Sequence, residues 1–203
     1  MTSPEAGEPR LVVSDLACER GGRLLFQGLS VSLNAGEALI VEGPNGSGKS
    51  SLLRIMAGLL APTAGRLSWR GLDTRLEPQP WRREMVFLGH LNAVKRTLTV
   101  RENLAFLGCD GSPGLRESLN LEGLDHLPAA MLSAGQMRRL ALARVAARPG
   151  GCWILDEPAA SLDADSTARL NELIAGHRSR GGIAVLSAHA LDEAQTVRLG
   201  TPA

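Results

Sequence analysis

The chain contains no tyrosine. Its three cysteines, Cys18, Cys109 and Cys152, are far apart, odd in number and in no C-x-x-C arrangement. That argues against disulfide staples, a metal cluster or haem attachment, and suits reduced core residues in a cytosolic protein. No uncharged apolar run approaches the roughly 20 residues that a membrane-spanning helix needs. The opening "MTSPEAGEPR" carries two glutamates where a secretory signal would carry an apolar core. An excess of either charge is missing as well: 22 Lys and Arg stand against 21 Asp and Glu, so no basic field points to nucleic acid. Repeats, low-complexity tracts and heptads are absent, and only "GCDGSPG" (108–114) and "DTRLEPQPW" (73–81) read as loops or joints. What remains is 203 residues, enough for one well-cored domain with a small subdomain.

The segment "EALIVEGPNGSGKSSLLRIMAGLL" sets the fold class. "ALIV" is a short apolar run suited to a buried parallel strand, and "SSLLRIMAGLL" has apolar residues at helical spacing. Between them "GPNGSGKS" matches G-x-x-x-x-G-K-S/T in the strand–loop–helix context that a phosphate-binding loop requires. Gly43, Gly46 and Gly48 let the backbone curl so that N–H groups from Gly43, Pro44, Asn45, Gly46, Ser47, Gly48, Lys49, Ser50 and Ser51 (proline excepted) surround phosphate oxygens. Lys49 supplies a point charge near the β and γ phosphates, and the Ser50 hydroxyl is placed for Mg²⁺.

Downstream, "GCWILDEPAASLD" offers the complementary half. "CWIL" is a second buried-strand run, and it ends in Asp156 and Glu157 before Pro158. Neighbouring side chains on a continuing strand face opposite ways, but where the chain turns both carboxylates can look into one site. Asp156 is the expected holder of Mg²⁺ through water, and Glu157 the group that orients or deprotonates an attacking water. A strand-end acid pair is weak evidence alone; beside a phosphate loop it is strong.

A second glycine-serine helix start, "MLSAGQMRR" (131–139), also exposes backbone N–H groups at the positive end of a helix dipole. With it the chain resembles the ABC ATPases, the nucleotide-binding subunits of ATP-binding cassette transporters. The motifs run in family order over nearly the whole length: "GPNGSGKS", a Q-loop region "FLGHLNAVKRTLTVREN", the signature "LSAGQ", "ILDEP", the D-loop "SLD", and a switch histidine, His189, in "VLSAHA". The resemblance implies an ATPase using ATP and Mg²⁺ in an ATP-dependent head-to-tail homodimer. Ser133 and Gly135 of one subunit would then cover the γ-phosphate held by the other, with Asp163 at the dimer seam and His189 near the γ-phosphate. By itself Asp163 would pass for the N-cap of the helix "DADSTARLNELIAG".

The segments "LACERGGRLLFQGLSVSLNAGE" and "GRLSWRG", "LGH" before "KRTLTVRENL", and "LSAGQMRRLALAR" leading into "WILDEP" narrow the resemblance to the haem-exporter ATPases of bacterial cytochrome c maturation. Those imply a peripheral subunit on the cytoplasmic face of the cell membrane, bound to integral-membrane partners, with no nucleic acid and no membrane span of its own. The haem chemistry would belong to the partners. Two positions depart from the wider family. Arg20 stands where an aromatic stacks on adenine, and a guanidinium plane stacks with less area. His90 stands where the Q-loop glutamine is expected, and imidazole suits so hard a cation as Mg²⁺ poorly, so contact through water or sensing of the membrane partner fits it better than direct ligation.

The expected architecture is α/β: one P-loop ABC ATPase domain over 1–203, with a parallel core sheet, a small antiparallel layer from roughly Leu11 to Leu33, and a compact helical subdomain at about 90–140 that would dock the membrane partner. That subdomain leaves no room for long coiled-coil insertions, which argues against a chromosome-maintenance or DNA-repair ATPase. The alternatives are the ATPase of another exporter, for a drug or lipid, or a soluble ABC assembly factor.

Overall fold

A computed structural model describes residues 10–90, 92–109, 111, 114–148, 151–187, 191 and 194–200. The chain opens with a hairpin, β1 (Leu11–Arg20) and β2 (Arg23–Leu33), followed by β3 (Ala38–Glu42) and α1 (Lys49–Met56). Next come β4 (Ala64–Trp69), β5 (Leu72–Asp73), α2 (Pro78–Glu84) and β6 (Met85–Leu88). An excursion then carries α3 (Val100–Phe106), α4 (Leu115–Ser118), a 3-10 turn (Ala129–Met131) and α5 (Ala134–Ala146). The chain returns through β7 (Cys152–Leu155), α6 (Ala164–Ser179), β8 (Ile183–Ser187) and β9 (Gln195–Arg198).

Five strands pair in parallel in the order β6-β7-β8-β3-β9. Every residue of β7 and β8 is buried, as a parallel sheet covered on both faces requires. Alternation assigns the faces. Trp153, Leu155, Ala184 and Leu186 pack with α3, α5 and α6, while Cys152, Ile154, Ile183 and Val185 pack with α1 and the second sheet. Burying each such aliphatic side chain contributes about 1.5–3 kcal/mol, so these two clusters fix the sheet between its layers.

The antiparallel layer is larger than the hairpin alone. β4 and β5 join it in the order β2-β1-β4-β5, because "RLSW" alternates and turns Leu67 and Trp69 into the core. Part of the expected loop at 73–81 is helical too: Pro78 opens α2, where a missing N–H costs nothing, and Trp81 is buried with its indole N–H donating to the Met56 carbonyl at 3.0 Å. Among the described residues at 90–140, the α-helix lies in α3, α4 and the start of α5, which runs on to Ala146. Capping boxes set the starts of α3 and α5, through Thr99 with Glu102 and Ser133 with Gln136.

Candidate functional site

The parallel sheet delivers four strand ends to one edge. β3 runs into the phosphate loop, β6 into Gly89 and His90, β7 into Asp156 and Glu157, and β8 into Ser187. Because β8 lies between β3 and β7, the loop and the acid pair meet across a single strand. Crevices beyond the carboxyl ends of parallel strands are where open α/β sheets bind ligands. Here an open cleft of about 400 Å³ is lined by Leu25, Asn45, Gly46, Gly48, Lys49, Ser50, Ser51, His90 and Glu157.

The loop has the curl that its glycines permit. Gly43, Gly46 and Gly48 have φ of 147°, 82° and 101°, and a Cβ at Gly43 would lie 2.6 Å from both the Leu199 carbonyl and the Ser47 hydroxyl. Lys49 Nζ donates to the Gly43 and Pro44 carbonyls at 2.7 and 3.0 Å, which seats the ammonium inside the curl. Ser47 is fully buried and its hydroxyl has no partner among the described residues. No side chain caps α1, so its first N–H groups remain available beside the exposed Ser50 and the half-buried Ser51.

The acid pair is held from both sides. Asp156 is 2% exposed; its Oδ1 accepts from Ser187 Oγ at 2.6 Å, while its buried Oδ2 has no partner among the described residues. Glu157 sits at φ 48°, a left-handed backbone that a side chain rarely adopts. Its N–H donates to Ser187 Oγ at 2.9 Å, and its carbonyl accepts from Arg138 Nη2 at 2.9 Å. So turned, Glu157 lines the cleft with Oε2 3.6 Å from His90 Nδ1, and the His90 side chain is 69% exposed. The orphaned Asp156 oxygen and the Ser50 hydroxyl are hard donors that fit Mg²⁺, whereas the imidazole does not. Among the described residues no group of three or more His, Cys, Asp or Glu could hold a metal alone. The remaining ligands would have to come from a nucleotide and water.

The other sequence-derived residues lie elsewhere. Arg20 is exposed at the end of β1, paired with Arg23, and does not line the cleft; Leu25 does. No signature residue lines it either. Ser133 caps α5, with its hydroxyl accepting from Gln136 N at 3.2 Å and its N–H donating to Gln136 Oε1 at 2.9 Å. The Ala134 and Gly135 N–H groups, at the first turn of α5, are left without an intrahelical acceptor. A Cβ on Gly135 would lie 2.8 Å from the Ser161 carbonyl of the same chain, so that glycine is required by its own D-loop. Asp163 does cap α6, accepting from Ser166 N at 2.8 Å, and that hydrogen bonding holds its pKa below the usual carboxylate value. His189 lies outside the described residues. Ser187 and Arg138 were not anticipated. Their signals were a hydroxyl ending the apolar run "IAVLS" and a cation in helical register with Ala141, Leu142 and Val145.

A phosphate loop on one strand end with an acidic turn two strands away is the arrangement of P-loop nucleoside triphosphatases. The chain belongs to the ABC transporter family, whose model matches residues 26–160. It is similar to the cytochrome c biogenesis ATP-binding export protein CcmA of Paramagnetospirillum magneticum, with 46% identity over 186 residues that cover 87% of this chain and 86% of that one. The protein of the same name from Rhodospirillum rubrum is 48% identical over 181 residues, covering 86% and 78%. A solved ATP-binding subunit of an ABC transporter, 24% identical, superposes with a TM-score of 0.82 over 93% of this chain and 85% of that one, which shows the shared fold.

Proposed function

We propose that this chain is the ATP-hydrolysing subunit of a membrane transport complex, and that its turnover drives haem export or haem-chaperone release in c-type cytochrome biogenesis. The observation that carries the ATPase reading is the cleft itself, where a curled phosphate loop faces Glu157 on a turn held in a strained backbone. The cytochrome c role rests on the similarity to the CcmA proteins. In this reading the loop N–H groups, Lys49 and the α1 N-terminus hold the triphosphate. Ser50 and Asp156 would hold Mg²⁺, which neutralises phosphate charge when bound. Glu157 accepts a proton from the attacking water. His90 lies within reach of Glu157 and tunes it or the water rather than binding metal directly, and His189 near the γ-phosphate remains the family expectation. Arg20 would stack on the base only if the β1–β2 turn closes over the cleft.

The chain acts as one ABC ATPase domain whose residues at about 90–140 dock integral-membrane subunits from the cytoplasmic side. Among the described residues no helix is long and apolar enough to cross a membrane. A groove beside α3 and α5 supports the docking: exposed Phe106 has Lys95 Nζ 5.4 Å from its ring, Arg144 and Arg148 lie alongside, and an adjoining cleft reaches His90. Purified chain should hydrolyse ATP slowly alone and faster with its membrane subunits. Glu157→Gln should retain ATP binding and lose turnover by about 10²–10⁴-fold, because only the proton acceptor is removed. Turnover near wild type in that variant refutes the role of Glu157, and membrane affinity purification that recovers a drug or lipid exporter refutes the haem reading.

A further inference from the structure

Arg138 is the most heavily engaged side chain at the site, yet it lines no part of the cleft. It stands in the second turn of α5, three residues beyond Gly135, and is 3% exposed. A guanidinium has five N–H donors in a rigid fork, and here each has an acceptor. Nε donates to the Pro158 carbonyl at 3.1 Å, and Nη2 to the carbonyls of Asp156 and Glu157 at 2.8 and 2.9 Å. Nη1 donates to the Gly89 carbonyl at 3.1 Å and to Asn92 Oδ1 at 2.8 Å. Three successive carbonyls of the acidic turn and two groups of the segment around His90 therefore converge on one planar cation. No carboxylate oxygen is among the acceptors, so the side chain is spent on backbone geometry rather than on an ion pair. Burial pulls its pKa below the usual arginine value, opposed by the nearby carboxylates of Asp156 and Glu157.

We propose that Arg138 is a positioning residue that ties the signature helix to the acidic turn and to the His90 segment, so that α5 sets where the Glu157 carboxylate points. Glu157 at φ 48° is in a conformation disfavoured for any non-glycine residue, which persists where its surroundings enforce it. Ser187 fixes the peptide N–H before it and Arg138 the carbonyl after it. Any displacement of the α5 N-terminus reaches Glu157 and Gly89 through one rigid group. The assignment presupposes that Glu157 activates the attacking water.

The test uses the full chain with Arg138→Lys, which keeps the charge and most of the volume but has three donors on one nitrogen and cannot reach five acceptors. Turnover at saturating ATP should fall on the order of 10–100-fold, while the Kd for a fluorescent ATP analogue should stay within about twofold, because the phosphate loop is not held by Arg138. In Arg138→Ala, millimolar ethylguanidinium should restore part of the lost turnover, and it should do nothing for Glu157→Gln. Wild-type turnover in Arg138→Lys, with Glu157→Gln inactive, overturns the role of Arg138 alone. Loss of nucleotide binding together with turnover, without rescue, marks a structural brace and equally overturns it. Wild-type turnover in Glu157→Gln removes the reading of Glu157 on which the proposal stands.

Discussion

Ser187 shows how a single hydroxyl organises the acidic turn. It donates to Asp156 Oδ1 and accepts from the Glu157 N–H, linking the tip of β8 to that of β7. Ser187→Ala would strip the buried Asp156 of its Oδ1 hydrogen bond and release one of the two clamps on Glu157. The expected cost is about 1–3 kcal/mol of stability and a fall in turnover on the order of tenfold with nucleotide affinity kept. Urea denaturation and steady-state kinetics read both, and unchanged values in both would contradict the role. The phosphate loop and the acid pair were legible in the sequence because their chemistry is local: glycines dictate the curl, and adjacent carboxylates share one turn. Ser187 and Arg138 were not. Their partners lie 30 and up to 49 residues away in the chain, and only the strand order brings them together. The surroundings of Arg20 depend on strand pairing in the same way, which puts Leu25 at the cleft and Arg20 at the end of β1.

At the scale of elements, β3, α1, β7 and α6 could be read directly, because buried apolar strands, a helix opening on a glycine loop and a helix capped by Asp163 write their own patterns. β4 and α2 could not: Pro78 and Pro80 suggested a loop where a proline-initiated helix packs Trp81 inward. The junction of α6 with β7 and β8 carries a pH dependence. His177, in the last turn of α6, is fully buried and stacks on Trp153 with ring centroids 3.8 Å apart and an interplanar angle of 9°. Burial lowers its pKa from 6.5 to about 4, against the raising effect of its hydrogen bond to the Ile183 carbonyl. Because the folded value lies below the unfolded one, the unfolded chain takes up the proton first as pH falls. Stability is therefore unaffected above about pH 6.5 and declines between there and about pH 4, by at most about 1.4 kcal/mol per pH unit. His177→Phe keeps a ring against Trp153 and removes this titration. Between pH 7.5 and 5 the wild type should lose more stability than the variant in denaturant melts, and equal losses would show that His177 does not titrate as its burial requires.

For the whole molecule, the central claim is that one chain carries two half-sites. The cleft contains the phosphate loop and Glu157, whereas the first turn of α5, with the Ala134 and Gly135 N–H groups, is not part of it. We propose that a second copy, packed head to tail, brings those groups to the nucleotide. A charged side chain at Gly135 would test this poorly, since it would first strike the Ser161 carbonyl of its own chain. Ala134 is exposed at the start of α5, where an aspartate suits the helix dipole but repels a phosphate. The decisive measurement is ATP-dependent association of two differently tagged variants, Lys49→Ala and Ala134→Asp, both in a Glu157→Gln background. Each variant alone has two broken sites in its homodimer and should stay monomeric. Mixed, the Ala134→Asp subunit offers an intact phosphate loop to the intact signature of the Lys49→Ala subunit, so one whole site forms and ATP should drive heterodimerisation. If α5 instead serves the nucleotide of its own chain, every site in the mixture stays broken. Failure of the mixed pair to associate with ATP, while the Glu157→Gln parent does, would contradict the shared site.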